Sequence, residues 1–249
     1  MDFSPAEAAD EFWAAFLGCE TEFLDAGRTV VVPRPSAKDA GETLFLFRKG
    51  TGCVASVMSH EPARLVHAMM KLVGDRPPAE VFDKALLRFG FGSEYPTING
   101  PIAVGLFDAE APQEEAPDSS VRPLNSKARA DSEALRRLFG STDIADWERG
   151  GVEFDHPVIF GAFESETLVA VASAVPWSAR LEGVAVFTHP GHRRHGWGRR
   201  VTRALCRHVT AQGHAVQMAA PEGDTAALGL ARALGFHDYA ETISVVFPR

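Results

Sequence analysis

The sequence predicts an α/β protein built in two parts. Strand-length and helix-length apolar runs alternate along its 249 residues, a length sufficient for two domains of ordinary size. An acidic, proline-containing stretch, Asp108 to Ser120, interrupts that alternation near the middle. Beyond it, an apolar strand runs into a turn rich in glycine and arginine that opens a long helix.

The first part begins with a helix start. Ser4 caps, Pro5 takes the first turn and Glu7 sits at the capping-box position, after which Phe12, Trp13, Phe16 and Leu17 follow helical spacing. Val30 to Val32, Leu44 to Phe47 and Cys53 to Met58 read as strands. Helices are expected over 61–73 and 79–89, and a strand over 102–107. No catalytic motif occurs in this part. The expected organisation is an N-terminal α/β domain over 1–110, an acidic linker over 111–120 and a second domain over 121–249.

In the second part, Arg122 to Leu124 ends a first strand, and Asp131 is placed to cap a helix carrying Leu135, Leu138 and Phe139. Residues 158–163 and 168–175 form a hairpin, and 181–188 another strand. A helix over 199–212 stops at Gly213, a strand covers 214–219, a helix over 225–234 closes at Gly235, and 243–247 is the last strand.

Composition narrows the functions. Hydrophobic residues make up 45% and no apolar run is long enough for a membrane span. The N-terminus lacks the basic and apolar segments of a secretory signal, and three cysteines form no framework, so a cytoplasmic setting is expected. A net charge of -8 argues against a nucleic-acid partner. Yet no Asp or Glu occurs from His189 to Pro221, where six arginines fall. Such a block points to one anionic ligand at one place.

The block opens on Val184 to Arg199. Glycines let backbone amides approach a ligand, and the helix start adds donors and partial positive charge, as a diphosphate requires. A Walker A loop is excluded because Trp197 and Gly198 stand where Lys and Ser or Thr are needed. A dinucleotide fingerprint is excluded by Val201 at its third glycine position. His189, His192 and His195 alternate with arginines that would repel a cation, so no metal is expected.

Arg193-x-x-Gly196-x-Gly198 resembles the pyrophosphate loop of the GNAT acyltransferase superfamily. Val186, Thr188 and Pro190 before it, the helix after it, and Leu234-Gly235-Phe236 downstream follow the same order. The resemblance covers about half the chain and implies a mixed, mostly antiparallel sheet, splayed between the strands at 181–188 and 214–219. It implies acetyl-CoA as cosubstrate and a small-molecule or peptide amine as acceptor. Val186 and Thr188 would hold the pantetheine arm; Arg193, Arg194, His195, Gly196, Trp197, Gly198 and Arg199 the diphosphate; Asp224 would lie near the pantetheine or phosphate end. Glu182, eleven residues before Arg193, takes the place of a general base, with Glu153, Asp155 and Glu222 in reserve. Two departures stand out: Asp224 replaces a frequent Asn, and Ala231 replaces a frequent Tyr acid. They keep open a non-catalytic coenzyme A sensor or scaffold. Tyr239 is expected not to substitute for the missing acid. The N-terminal part reads either as a degenerate GNAT-like half or as a substrate-binding and dimerising domain.

Overall fold

The computed structural model describes residues 4–34, 42–57, 60–74, 84–85, 97–107 and 118–246. Their elements are α1 (Pro5–Leu17), β1 (Thr29–Pro33), β2 (Glu42–Lys49), β3 (Gly52–Val57), α2 (His60–Val73), β4 (Thr97–Phe107), β5 (Val121–Leu124), α3 (Arg129–Gly140) and α4 (Ile144–Gly150). Then follow β6 (Val158–Glu164), β7 (Thr167–Pro176), β8 (Leu181–Thr188), α5 (Trp197–Ala211), β9 (Ala215–Pro221), α6 (Thr225–Leu234) and β10 (Phe236–Val246). The helix expected over 79–89 lies outside the described residues except for Lys84 and Ala85, which are helical, and so does most of the acidic stretch. Among the described residues, no helix is long and apolar enough to cross a membrane.

The chain forms two compact units, each drawn from several segments. One takes Met1–Ala8, Gly105–Ala219 and Thr225–His237; the other takes Ala9–Val104, Ala220–Asp224 and Asp238–Arg249. Strands β4 and β10 contribute residues to both.

In the first unit the strands run β9-β8-β7-β6-β5. Pairing is antiparallel from β5 through β8 and parallel between β8 and β9. This is the mixed, mostly antiparallel sheet expected from sequence. The parallel pairing covers Leu181↔Ala215, Glu182↔Val216 and Gly183↔Gln217 and goes no further, although β8 continues to Thr188. The splay therefore opens after Gly183.

Helices cover both faces of this sheet. On one, Val201, Leu205, Cys206 and Val209 of α5 pack on Ala170, Ala172 and Ala174 of β7. Alanines on the sheet let the helix lie close. On the other, Leu135 and Leu138 of α3 and Trp147 of α4 pack on Ile159, Val171 and Phe187. The pairing of β6 with β7 slips beside Ala162, and Val169 and Ala170 both face the α5 core.

Asp131 is not the cap of α3, which starts two residues earlier with Ala128 in the cap position. Its carboxylate instead accepts from Arg122 at 2.7 Å and from the Asn125 amide at 2.8 Å. The Arg122 hydrogen bond is the main reason its pKa falls below the usual carboxylate value. The sequence reading also missed α4, whose start is capped by the Asp143 carboxylate accepting from Ala145 N–H at 2.9 Å.

In the second unit the order is β1-β3-β2-β10. Leu44, Leu46, Ile243 and Val245 share a core with Val66, Met69 and Met70 of α2. Trp13 and Phe16 of α1 cover the opposite face, with Trp13 4.9 Å from Phe47 and Phe16 5.0 Å from Phe45. Ser4 does cap α1, accepting from Glu7 N–H at 3.3 Å. Beside this cluster, the Tyr239 hydroxyl donates to Asp10 at 2.5 Å, and Lys49 donates to the same carboxylate.

Burial, then the neighbouring Asp10, pushes the Tyr239 phenol far above its ordinary range. Tyr239→Phe is expected to lower unfolding stability near neutral pH by about 1–2 kcal/mol in urea titrations, the loss of a buried hydrogen bond to a charge. Because folding raises this pKa, the tyrosine's contribution is present below about pH 10, its unfolded value, and fades as pH rises beyond it. The gap between parent and variant should therefore shrink in strong alkali.

Candidate active site

The site grows from the end of β8. The chain leaves the sheet after Thr188, and Pro190–His192 make a single 3-10 turn whose preceding residue, His189, accepts the Gly191 amide on Nδ1 at 3.1 Å. Arg193 then folds back. Its Nε donates to the Thr188 carbonyl at 3.2 Å and its Nη2 to Asp146 of α4 at 3.1 Å. Two left-handed residues follow within three positions, Arg194 at φ 69° and Gly196 at φ 81°. For Arg194 this conformation costs on the order of 1 kcal/mol, and such strain concentrates at functional sites. Alternation into the left-handed region turns successive N–H groups toward one side, which makes an anion-binding concavity.

Gly196 also occupies the N-cap position of α5. Its carbonyl accepts the Arg200 amide at 3.0 Å, so the amides of the first turn point out of the helix end. Gly198 is needed for another reason: a Cβ there would lie 2.9 Å from Thr188 Oγ1 and 4.0 Å from Val186 Cγ2. The missing side chain lets the helix start sit directly against the strand end.

The expected phosphate-loop residues are thus brought together, but they do not act alike. Arg193 spends its guanidinium on protein partners. Arg194 and His195 are exposed, as is Arg199. Trp197 is buried under the Arg200 guanidinium, 4.6 Å from the ring, and Arg200 also approaches Asp118 at 3.6 Å. Val186 and Thr188 are half-buried on the open side of the splay. Asp224 belongs with the second unit, in the turn just before α6, where its amide donates to the Pro221 carbonyl. Of the three histidines, His192 meets Glu164 at 3.1 Å, His189 accepts the Gly191 amide and His195 is exposed.

Glu182 stands at the closed end of the splay, in one of the last rungs that pair with β9. It is 8% exposed. One oxygen meets His214 Nδ1 at 3.1 Å and the other is buried with no hydrogen-bond partner among the described residues. A half-satisfied buried carboxylate is costly, and such groups mark functional sites. Glu153, Asp155 and Glu222 are all exposed. Cys206 is fully buried and its thiol is pushed up by burial, as a core cysteine.

Three polar contacts around these residues went unread in the sequence. His214 precedes β9 and reaches Glu182. Asp146 lies on the unread helix α4. His156 meets the fully buried Ser173 at 2.7 Å, and Ser173 pairs with Ala185 on β8. All three depend on contacts across many residues, and their only local signal was the unexplained polar residue itself.

Residues 160–245 match the family model described as FR47-like protein. No curated protein matches the chain by sequence. Among solved structures, it resembles a putative GNAT-family acetyltransferase from Novosphingobium aromaticivorans, at 20% identity over 61% of this chain and 66% of that one, TM-score 0.47. It also resembles a GCN5-related N-acetyltransferase from Kribbella flavida, at 17% identity over 67% of this chain and 63% of that one, TM-score 0.46. A third is aminoglycoside N-acetyltransferase AAC(6')-Iy in complex with CoA, at 23% identity over 48% of this chain and 92% of that one, TM-score 0.36. The match spans slightly less than two thirds of the first two chains. The FR47-like match runs from β6 to β10 and takes in the loop from Arg193 to Gly198.

Proposed function

We propose that residues 121–249 form an N-acetyltransferase that moves an acetyl group from acetyl-CoA to an amine of a small molecule or peptide. The observation that carries this reading is the loop from Arg193 to Gly198. Left-handed residues and an uncapped helix start aim backbone donors outward, at the end of a strand whose neighbour has parted from it. The diphosphate would sit on amides from Arg194 to Arg199, with the pantetheine arm along Val186 and Thr188.

In this reading the amine loses a proton to the Glu182 carboxylate, directly or through water. The freed lone pair attacks the thioester carbon, and amides at the opened edge of β8 stabilise the oxyanion. The carbon–sulfur bond then breaks as the oxyanion collapses, and the extra proton on the acylated nitrogen passes through water to the thiolate. A thiolate is only moderately basic, so a dedicated acid is dispensable at some cost in rate. A cytoplasmic location and action without a metal go with this proposal. So does the N-terminal part as a degenerate GNAT-like half or as a substrate-binding, dimerising domain.

One observation favours a second reading. Ala231 occupies the family's usual tyrosine position, and Tyr239 is committed to Asp10. A non-catalytic coenzyme A sensor or scaffold would need no acid. A panel of amines with acetyl-CoA, scored by release of free thiol, separates the two: turnover supports the enzyme, and binding without turnover supports the sensor.

Two outcomes are expected. Acetyl-CoA at one hundred times its dissociation constant should stabilise the protein by about 2.7 kcal/mol in thermal melts, while adenosine should do little. An unchanged melt at millimolar acetyl-CoA would refute the cofactor assignment. Glu182→Gln should lower turnover by roughly 10²-fold or more and leave acetyl-CoA affinity nearly intact. Equal losses in both would make Glu182 a structural link between β8 and His214.

A further inference from the structure

We propose that Asp146 is a positioning residue for the phosphate loop, acting through Arg193. The inference rests on the coenzyme A reading above. Asp146 lies 47 residues before Arg193 and accepts its Nη2 at 3.1 Å, while its other oxygen accepts Arg149 at 2.8 Å. Arg193 Nε is held at the same time by the Thr188 carbonyl at 3.2 Å. Two acceptors on one planar fork fix residue 193, and residue 193 leads directly into the strained Arg194 and the left-handed Gly196.

The anchor itself is firm. Trp147, the next residue, packs with its ring tilted 4.9 Å from Phe187 and edge-on 5.3 Å from Phe139. Gly150 lies so close to β8 that a Cβ there would stand 3.1 Å from the Val186 carbonyl oxygen. Helix α4 is thus packed on β8 and holds the loop that follows β8.

Two effects of removing Asp146 oppose each other. Its negative charge repels a diphosphate, but partly exposed charges about 10 Å apart change affinity by only about twofold. Without the tether, the loop would spend less time in the strained, binding-competent form, and apparent affinity falls in proportion to that fraction. If competence falls to about one tenth, the loss is about tenfold, so the tether outweighs the repulsion.

The test is calorimetric titration of the full chain with coenzyme A, with melts to verify folding. Asp146→Ala should weaken binding about five- to tenfold. Asp146→Asn keeps an oxygen for Nη2 and should stay within about twofold of the parent. Adding Asp146→Ala to Arg193→Ala should weaken binding no further than Arg193→Ala does alone. Should Asp146→Ala fail to fold, Arg193→Lys, which keeps the charge but cannot bridge both acceptors, should show a loss of about fivefold or more. The proposal is overturned if Asp146→Ala (or Arg193→Lys in its place) binds as tightly as the parent, if Asn falls as far as Ala, or if the two alanine losses multiply. A parent that does not bind coenzyme A ends the loop reading itself, a result distinct from these.

Discussion

The parting of β8 from β9 after Gly183 is the constraint on which the rest of the first unit depends. A sheet that stayed paired to Thr188 would consume the edge amides of β8. Parted, the strand keeps an open edge, and that edge leads to the loop that needs room. The cores on either side hold the opening in place. Helix α5 lies against the alanine face of β7, and α4 lies against Phe187 on the reverse. The opening is therefore a packed feature of the fold.

Charge follows the same geometry. The chain is acidic as a whole, yet its arginines gather along the loop and α5. Some are withheld from any ligand. Arg193 is spent on Thr188 and Asp146, and Arg200 on the Trp197 ring and Asp118. What faces solvent at the helix start is backbone together with the exposed side chains of Arg194, His195 and Arg199. Backbone donors are fixed in direction and lose no side-chain entropy when a ligand arrives.

Much of this was legible in the sequence, for identifiable reasons. The strands of the first unit are long, apolar and bounded by turn residues. The turn between β8 and α5 was legible because Gly196 and Gly198 break the apolar pattern between strand and helix. Short or polar elements were not. Helix α4 has seven residues, and one of its two large apolar side chains, Ile144, is 62% exposed, so it carries no periodic signal. Strand β4 begins at Thr97, five residues before the expected start, because Asn99, Gly100 and Pro101 read as a break. Strand β10 begins at Phe236, where His237 and Asp238 conceal it. The partners of Glu182 and Arg193 were illegible in principle, since pairings across tens of residues leave no local periodicity.

One pairing in the second unit bears on how the chain is made. Strand β2 is flanked by β3 on one side and by β10 on the other, and Arg48 and Glu241, facing each other across β2 and β10, are 193 residues apart. At roughly 5–20 residues per second, a nascent β2 waits about ten to forty seconds for that partner. During that interval one edge of the strand offers unpaired amides and carbonyls, with Leu44 and Leu46 lacking the cover of Ile243 and Val245. Strand β2 is thus completed only after β10 has been synthesised. Removing β10 would leave that edge open.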